Sequence, residues 1–413
     1  MTRHGLIGLL ALALAGCSLQ QVVPTSNPID ATTSPHASPP TVEPTPRVAP
    51  SGFTVVGPAG MPTIAIPAGL EDVAWSSLRI EVDATFESIA THVSAGRLGA
   101  TASIMQTIPS SAGQVVARTA GDVVAIVTRG ETSAVVDVRR IGDGAGLGRV
   151  ELPTLAMDEL ALDPGRAFAY AAVAREGGGV EIQRLTFDGR ARTTLLTLDK
   201  RFTPAGFPHE RYVFTLAPNG TLVVLACGAA DGCRLWRIAP TDALAKGPLS
   251  LAASTPIVCS LVDASNAWLI VYDDDTCIGD TGDSAMPMRA ISLRDGSSRL
   301  LGTEHILAGR VIGDETHAQV IVSVRSADWS TSDIVGIDLA TGRRRTFVHG
   351  LANAADGMSG WLGVSHRMLV DPWVLIGPWG GDLVLGTNPP DARLLNVATN
   401  ELVELGPGSF GTD

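Results

Sequence analysis

A repeated unit of four short strands constrains the fold more than any other feature of this sequence. The unit is clearest between Tyr212 and Ala252, where short apolar or alternating runs are separated by turns rich in Gly, Asn and Asp. Runs of this length joined by such turns predict a four-stranded antiparallel meander. A sheet of this kind cannot bury both of its faces alone, so we expect its copies to stack against one another.

The unit recurs along the chain at irregular intervals. Six copies are legible, with third strands ending near residues 138, 185, 238, 293, 338 and 397, and segment 51–105 is long enough for a seventh. Intervals of roughly 50 residues are typical of β-propeller blades with variable loops. We predict an all-β fold, a β-propeller of seven four-stranded blades over residues 51–413, with six or eight blades as alternatives. The seventh blade is expected to be split, with an N-terminal strand completing the last sheet; Thr63–Ile66 is one strand-like run there.

The turn between the third and fourth strands has its own pattern. Asp338–Gly342 shows it best, as strand, Asp, two residues, Thr, Gly, strand. Asp and Gly favour hydrogen-bonded turns and positive φ. Over roughly residues 110–405 this pattern resembles the blades of TolB-like, quinoprotein-like and YVTN-like propellers. The WD-repeat and sialidase Asp-box signatures are absent, so the resemblance implies a propeller fold and transfers no catalytic residue.

The N-terminus carries a targeting signal. An apolar run, Leu6–Leu14, follows Arg3 and His4 and ends at the sequence Leu-Ala-Gly-Cys17. The run is too short to span a bilayer as a mature helix and has the flanks of a signal peptide. Leu-Ala-Gly-Cys resembles the lipobox of bacterial lipoproteins, in which the cysteine is lipidated and becomes the first residue after cleavage. The resemblance implies that residues 1–16 are a signal peptide and that Cys17 is the lipid attachment site. The alternative is an ordinary signal peptide with a chance cysteine.

The segment after Cys17 predicts a tether. Residues 17–50 are rich in Pro, Thr and Ser, a composition that does not bury enough apolar surface to fold. We therefore expect an extracytoplasmic protein of the cell envelope, held to the membrane by its lipid anchor. The membrane would be the outer membrane in a diderm cell, or the cytoplasmic membrane's outer face in a monoderm cell. The net charge of -12 argues against nucleic acid as a partner.

Four further cysteines predict two disulfides in an oxidising compartment. Cys227 ends one strand and Cys233 begins its antiparallel partner, so their side chains are expected to meet across a hairpin. Cys259 and Cys277 are expected to lie at one edge of the next sheet, which predicts the second pair. Metal ligation is the alternative, but no His clusters near these thiols in the sequence.

Three other features suggest sites, each with a plainer interpretation. The acidic loop Asp273–Asp283 has the oxygen density for calcium but lacks the EF-hand spacing, so a solvated loop is the preferred interpretation. Ser359, or Ser365 beside His366, suggests the nucleophile of a serine hydrolase, but the sequence has no Gly-x-Ser-x-Gly nucleophile elbow. The residues Trp329, Trp361, Trp373 and Trp379 form either inter-blade packing, which we prefer, or a recognition patch. We expect no metal and no cofactor.

Two classes of function remain open on the sequence alone. One is a membrane-tethered binding or scaffolding module for a protein or glycan. The other is an extracytoplasmic hydrolase or lyase with its site at the central channel. Catalysis there requires convergent His, Asp, Glu or Arg on the innermost strands, and the runs expected there are poor in such groups, as in Val213–Leu216. We therefore expect binding and predict no catalytic residue.

Overall fold

A computed structural model gives the architecture of the chain. It describes residues 67–407, apart from 71–72, 83–87, 98–102, 131, 154, 177, 203–211, 229–231, 252–257, 274–287, 303–305, 315, 329, 354–360, 366–370 and 380–390. Across these residues, 27 strands form seven antiparallel sheets, each a meander whose neighbours follow in chain order. The helical content there is two single-turn 3₁₀ helices, Ser110–Ala112 and Pro164–Arg166, and no helix in this part of the chain is suited to crossing a bilayer.

The sheets follow one another along the chain and are numbered here as blades 1 to 7. Blade 1 contains β1 (Ala74–Val82), β2 (Ser88–Arg97) and β3 (Ile104–Pro109). Blade 2 contains β4 (Gln114–Ala120), β5 (Val123–Arg129), β6 (Ser133–Arg140) and β7 (Gly146–Pro153). Blade 3 contains β8 (Leu155–Asp163), β9 (Phe168–Ala174), β10 (Val180–Thr186) and β11 (Arg192–Leu198). Blade 4 contains β12 (Tyr212–Leu216), β13 (Leu222–Gly228), β14 (Gly232–Ile238) and β15 (Leu249–Ser250).

The last three blades repeat this plan. Blade 5 contains β16 (Val258–Ala264), β17 (Trp268–Asp273), β18 (Met288–Ser292) and β19 (Ser298–Gly302). Blade 6 contains β20 (Ile306–Ile312), β21 (Gln319–Arg325), β22 (Thr331–Asp338) and β23 (Arg344–Ala352). Blade 7 contains β24 (Trp361–Ser365), β25 (Trp373–Trp379), β26 (Asp391–Asn396) and β27 (Glu401–Pro407). The first strands of successive blades contact each other from β4 to β24, which places them innermost. The predicted seven-bladed β-propeller is confirmed.

Burial of both faces of each sheet explains why the blades stack. The second strand of blade 4 shows this directly, because five successive residues, Leu222–Ala226, are fully buried. Successive side chains of a strand point to opposite faces. Leu222 and Val224 accordingly pack in a cluster shared with blade 3, whereas Val223 and Leu225 pack in a cluster shared with blade 5. The core is therefore a series of apolar layers between blades.

A recurrent backbone hydrogen bond ties two kinds of turn together at one edge of the propeller. The residue after the third strand donates its N–H to a carbonyl in or next to the turn between the first and second strands of the same blade. The donors and acceptors are Ile141 to Asp122, Phe187 to Ala167, Leu293 to Ala267, Leu339 to Ala318 and Val397 to Pro372. Both kinds of turn therefore lie at the same edge, which we call the turn rim.

Blade 1 has three strands in the described residues. Its last strand, β3, leads into the first strand of blade 2 through residues 110–113. In the other blades the fourth strand leads into the next blade, so β1, β2 and β3 take the second, third and fourth positions. The predicted strand Thr63–Ile66 lies outside the described residues. Blade 7 takes its four strands from the single stretch 361–407, so it does not use the N-terminal strand that a split blade would supply.

Candidate functional site

Blade 4 departs from the other blades at the turn rim. Its connection between the third and fourth strands spans ten residues, 239–248. The equivalent connection has five residues in blades 2, 3, 5 and 6 and four in blade 7. We call this segment the blade 4 loop. The fourth strand that follows it, β15, has only two residues. The local sequence explains the departure, because Pro240 and Pro248 lack the N–H groups that a strand ladder needs.

Hydrogen bonds to blade 3 hold the blade 4 loop in place. The Arg184 guanidinium on β10 donates to the carbonyls of Pro240 and Asp242. Ala245 N–H donates to the Leu195 carbonyl on β11 at 2.8 Å. The loop is thus an ordered wall, and it presents Leu244 to solvent with 67% of its surface exposed.

Two adjoining depressions lie beside this wall, and together we call them the rim groove. The first has a volume of about 330 Å³ and is lined by residues that include Thr221, Asp242 and Lys246. The second has a volume of about 550 Å³ and is lined by residues that include Asn266, Trp268 and Thr316. Arg237 and Arg294 line both. The groove therefore spans the rim from blade 4 across blade 5 to the edge of blade 6, at a size typical of ligand sites.

The two arginines that join the depressions are held differently. Arg237, at the end of β14, donates through Nη1 to the Leu293 carbonyl of blade 5 at 2.8 Å. Its other guanidinium N–H groups make no hydrogen bond within the described residues. Arg294, in the turn of blade 5, is exposed, and its guanidinium has no hydrogen bond or ion pair with any described residue. The groove therefore offers one oriented guanidinium and one that is free to adjust.

Ionised carboxylates flank the second depression. Hydrogen bonds from the N–H and hydroxyl of Ser297 lower the pKa of Asp295 to about 2. The Thr316 hydroxyl, with the N–H groups of His317 and Thr316, lowers the pKa of Asp314 to about 2. Both groups remain charged at neutral pH. Asp295 lines the second depression and Asp242, paired with Lys246, lines the first, so the rim groove contains carboxylates as well as guanidinium groups.

A second cluster of charges lies on the innermost strands, where few were expected. Arg310 of β20 is buried, and its Nη2 donates to Asp371 Oδ1 at 3.0 Å. Asp371 Oδ2 accepts from Gly313 N, and Asp263 of β16 accepts from Val311 N. Burial lowers the pKa of Arg310, and the carboxylates of Asp371 and Asp263 oppose this shift. These groups link blades 5, 6 and 7 through hydrogen bonds.

The predicted cysteine pairs have different outcomes. Cys227 and Cys233 are directly opposite each other on β13 and β14, and a disulfide joins them. Both side chains are buried in the core between blades 4 and 5. The backbone of Cys259 lies in β16, but its side chain and the whole of Cys277 lie outside the described residues. The lipid attachment site Cys17 also lies outside them.

Most other candidate residues lie apart from one another or outside the described residues. Trp373 is buried, whereas the side chains of Trp361 and Trp379, and residue Trp329, lie outside the described part. The same holds for Ser359, the Ser365 side chain, His366 and the acidic loop after Asp273. Within the described residues no three His, Cys, Asp or Glu side chains form a group that could hold a metal ion.

The sequence alone does not indicate the rim groove or its two arginines. Arg237 ends a strand and Arg294 lies in a turn of the next blade, and neither stands in a recognised motif. The one available signal was the length of the blade 4 loop, which interrupts an otherwise regular spacing of third and fourth strands.

Comparisons with known proteins bear on the fold alone. No family model matches the chain, and no curated protein matches it. An acylaminoacyl peptidase from Pyrococcus horikoshii is similar in structure, with a TM-score of 0.50 and 10% identity over 82% of this chain and 53% of that one. The fold is a β-propeller.

Two further solved structures are similar at lower scores. The β-propeller domain of the Trilobed protease from Pyrococcus furiosus has a TM-score of 0.48 and 10% identity, covering 81% of this chain and 95% of that one. A puromycin-hydrolyzing peptidase from Mycobacterium tuberculosis has a TM-score of 0.49 and 12% identity, covering 86% and 56%. This propeller chain spans about half the length of the two whole peptidases.

Proposed function

We propose that this propeller is a binding module of the cell envelope, tethered to a membrane through Cys17, that recognises a protein partner at its rim groove. The observation that carries the proposal is the asymmetry of the turn rim. The blade 4 loop is twice as long as the equivalent connections of four other blades, and it walls a groove that holds Arg237 and Arg294. Lengthened loops on a rigid scaffold commonly carry binding function.

The composition of the groove supports a protein as the partner. Protein interfaces are enriched in aromatic residues and arginine, and their energetic centres most often involve Trp, Tyr and Arg. The rim groove combines Trp268, Arg237 and Arg294, with the exposed Leu244 on its wall. Among the described residues the hydrolase or lyase alternative has less support, because Asp263 and Arg310 on the innermost strands are engaged in hydrogen bonds between blades.

A site-specific cross-linking experiment tests the binding role. A photoreactive amino acid is placed at position 244 or, as a control of similar exposure on blade 1, at position 105. The cells that produce the protein are then irradiated. We expect a discrete cross-linked protein from position 244, its absence from position 105, and its loss when Arg237→Ala is added. Equal products from both positions, or none from 244, would refute the binding site.

A separate experiment tests the tether. We expect the wild-type chain to partition into the detergent phase and to incorporate labelled fatty acid, and Cys17→Ser to do neither. A diacyl anchor buries enough methylene groups for stable attachment, and Cys17→Ser lacks the thiol that would carry it. Detergent partitioning of Cys17→Ser equal to that of the wild type would refute the lipid anchor while leaving the rim groove untouched.

A further inference from the structure

We infer that the rim groove recognises an acidic side chain of its partner polypeptide, held by the guanidinium groups of Arg237 and Arg294, with an apolar residue of the same segment beside Trp268 or Leu244. This inference rests on the proposed binding function and specifies the chemistry of the ligand.

Donor geometry favours a carboxylate as the anchoring group. A guanidinium presents a planar fork of N–H donors that matches the two oxygens of a carboxylate. Arg237 is oriented by its bond to Leu293, so its unused N–H groups are already directed when a ligand arrives. Arg294 lines the same two depressions, and its guanidinium makes no hydrogen bond to a described residue, although its charge interacts with the neighbouring Asp295. Its N–H groups are therefore available to a second carboxylate oxygen.

The surrounding charges favour a single carboxylate over a dense polyanion. Lys246 is paired with Asp242 at 3.4 Å, so its charge is partly neutralised. Asp295, which lines the second depression, and Asp314, which is bonded to Thr316 of the lining, remain ionised. The chain as a whole has a net charge of -12, which repels nucleic acid or a heavily sulfated glycan. One acidic side chain brings a single negative charge to the two arginines, whereas a polyanion brings additional charges against Asp295 and Asp314.

The neighbouring surface favours a polypeptide as the carrier of that carboxylate. Trp268 is half-buried against the core between blades 5 and 6, so it offers a fixed aromatic surface. Leu244, on the blade 4 loop that borders the first depression, offers an exposed apolar contact. The hydroxyl of Ser297 already donates to Asp295, so its oxygen presents an acceptor, whereas the Thr316 hydroxyl bonds both Asp314 and the His317 ring. A backbone N–H group of an extended segment is a suitable donor to the Ser297 oxygen.

A displayed library of random dodecapeptides tests the inference even though the partner is unidentified. The library is selected on the whole purified chain and depleted on Arg237→Ala/Arg294→Ala. We expect enriched peptides to contain Asp or Glu next to a large apolar residue. Replacing that acid by its amide, or introducing Arg294→Ala, is expected to weaken binding about tenfold or more. Arg294→Lys should retain part of the affinity because it keeps the positive charge. It should not retain all of it, because an ammonium group cannot donate two parallel hydrogen bonds to a carboxylate.

The matched control is Arg190→Ala, which removes an exposed arginine from a turn of blade 3 at the same rim. It is expected to leave peptide binding unchanged. Enriched peptides without an acid, peptides that bind only through a free C-terminal carboxylate, equal losses for Arg190→Ala and Arg294→Ala, or no enrichment would each overturn the inference. If cross-linking from position 244 succeeds while the selection fails, the binding role stands and the carboxylate is refuted. Loss of cross-linking as well refutes both.

Discussion

Arg310 and Asp371 form an ion pair, and removing Asp371 should lower stability far more than replacing the buried Arg310. Only 9% of the Arg310 side chain is exposed, compared with 50% of the Asp371 side chain. Asp371→Ala leaves the guanidinium buried without its carboxylate and deprives Gly313 N of its acceptor. Arg310→Met removes the buried charge itself and fills much of its space with an apolar chain. Asp371 then remains in contact with solvent, which keeps it hydrated.

The expected magnitudes follow from this difference in exposure. Stranding a buried charge typically destabilises by about 3–5 kcal/mol, whereas replacing a buried charged group by a well-packed apolar one is often nearly neutral. Asp371 is half exposed, so solvent screens its attraction to Arg310. We therefore expect Asp371→Ala to lower the free energy of unfolding by about 2 kcal/mol. With an unfolding entropy of roughly 2 cal/mol/K per residue over roughly 300 residues, this lowers the melting temperature by about 3 °C. The free energy of unfolding of Arg310→Met should differ from that of the wild type by no more than about 1 kcal/mol.

Thermal and urea unfolding of both single variants and the double variant measure the effect. The double variant should resemble Arg310→Met, because no buried charge is then left without a partner. Arg190→Met is the exposed control, since its pair with Asp188 lies in solvent, and it should not change the melting temperature. If Arg310→Met destabilises more than Asp371→Ala, the pair contributes net stability, and the reasoning from desolvation is wrong.

Three further predictions concern packing, the disulfide and pH. Gly148→Ala should lower the free energy of unfolding, measured in urea, by at least about 2 kcal/mol, because a Cβ there collides with the backbone of blade 3. The control is Gly146→Ala in the same strand, where a Cβ meets nothing within 4 Å and should be tolerated. Replacing both Cys227 and Cys233 by Ser should lower the free energy of unfolding by about 2 kcal/mol, since the bond closes a short loop with a sequence separation of 6, and the loss of stability in reductant should become smaller by the same amount. The pKa of Asp314 is lowered to about 2, so its stabilisation is complete above about pH 4 and lost as pH falls towards 2; Asp314→Asn should flatten that part of the pH profile of the urea midpoint.

The blades could be predicted from the sequence because their signal is local. The second strand of blade 4 was expected at residues 221–227 and is observed at Leu222–Gly228. Third strands were expected to end near 238 and 338, and they end at Ile238 and Asp338. Alternating apolar residues and Gly or Asn turns specify such a hairpin within about 15 residues of chain. The pairing of Cys227 with Cys233 follows from the same local register.

The charged contacts could not be predicted because they depend on packing between blades. Arg310 and Asp371 are 61 residues apart in sequence, and they meet because β20 lies beside the first turn of blade 7. The run Arg310–Ile312 shows one charge in the sequence, and nothing in it indicates a counter-ion on the next blade. Arg237 and Arg294 likewise share a groove only because neighbouring blades bring the end of one strand beside the turn of the next.

The repeated strands of the blades and the lengthened blade 4 loop differ in how far packing constrains them. Blades 2 to 6 each bury both faces against their neighbours, so the repeated positions there are fixed by packing and have little freedom to acquire a ligand. The connections at the turn rim are not fixed in this way, because they face solvent. Blade 4 uses that freedom, since its loop is lengthened and its last strand shortened to Leu249–Ser250. A short last strand leaves β14 less covered near its end, and Arg237 lies there. The same change that weakens the sheet therefore opens the groove, which implies that shortening the blade 4 loop to five residues should stabilise the blade while removing the binding site.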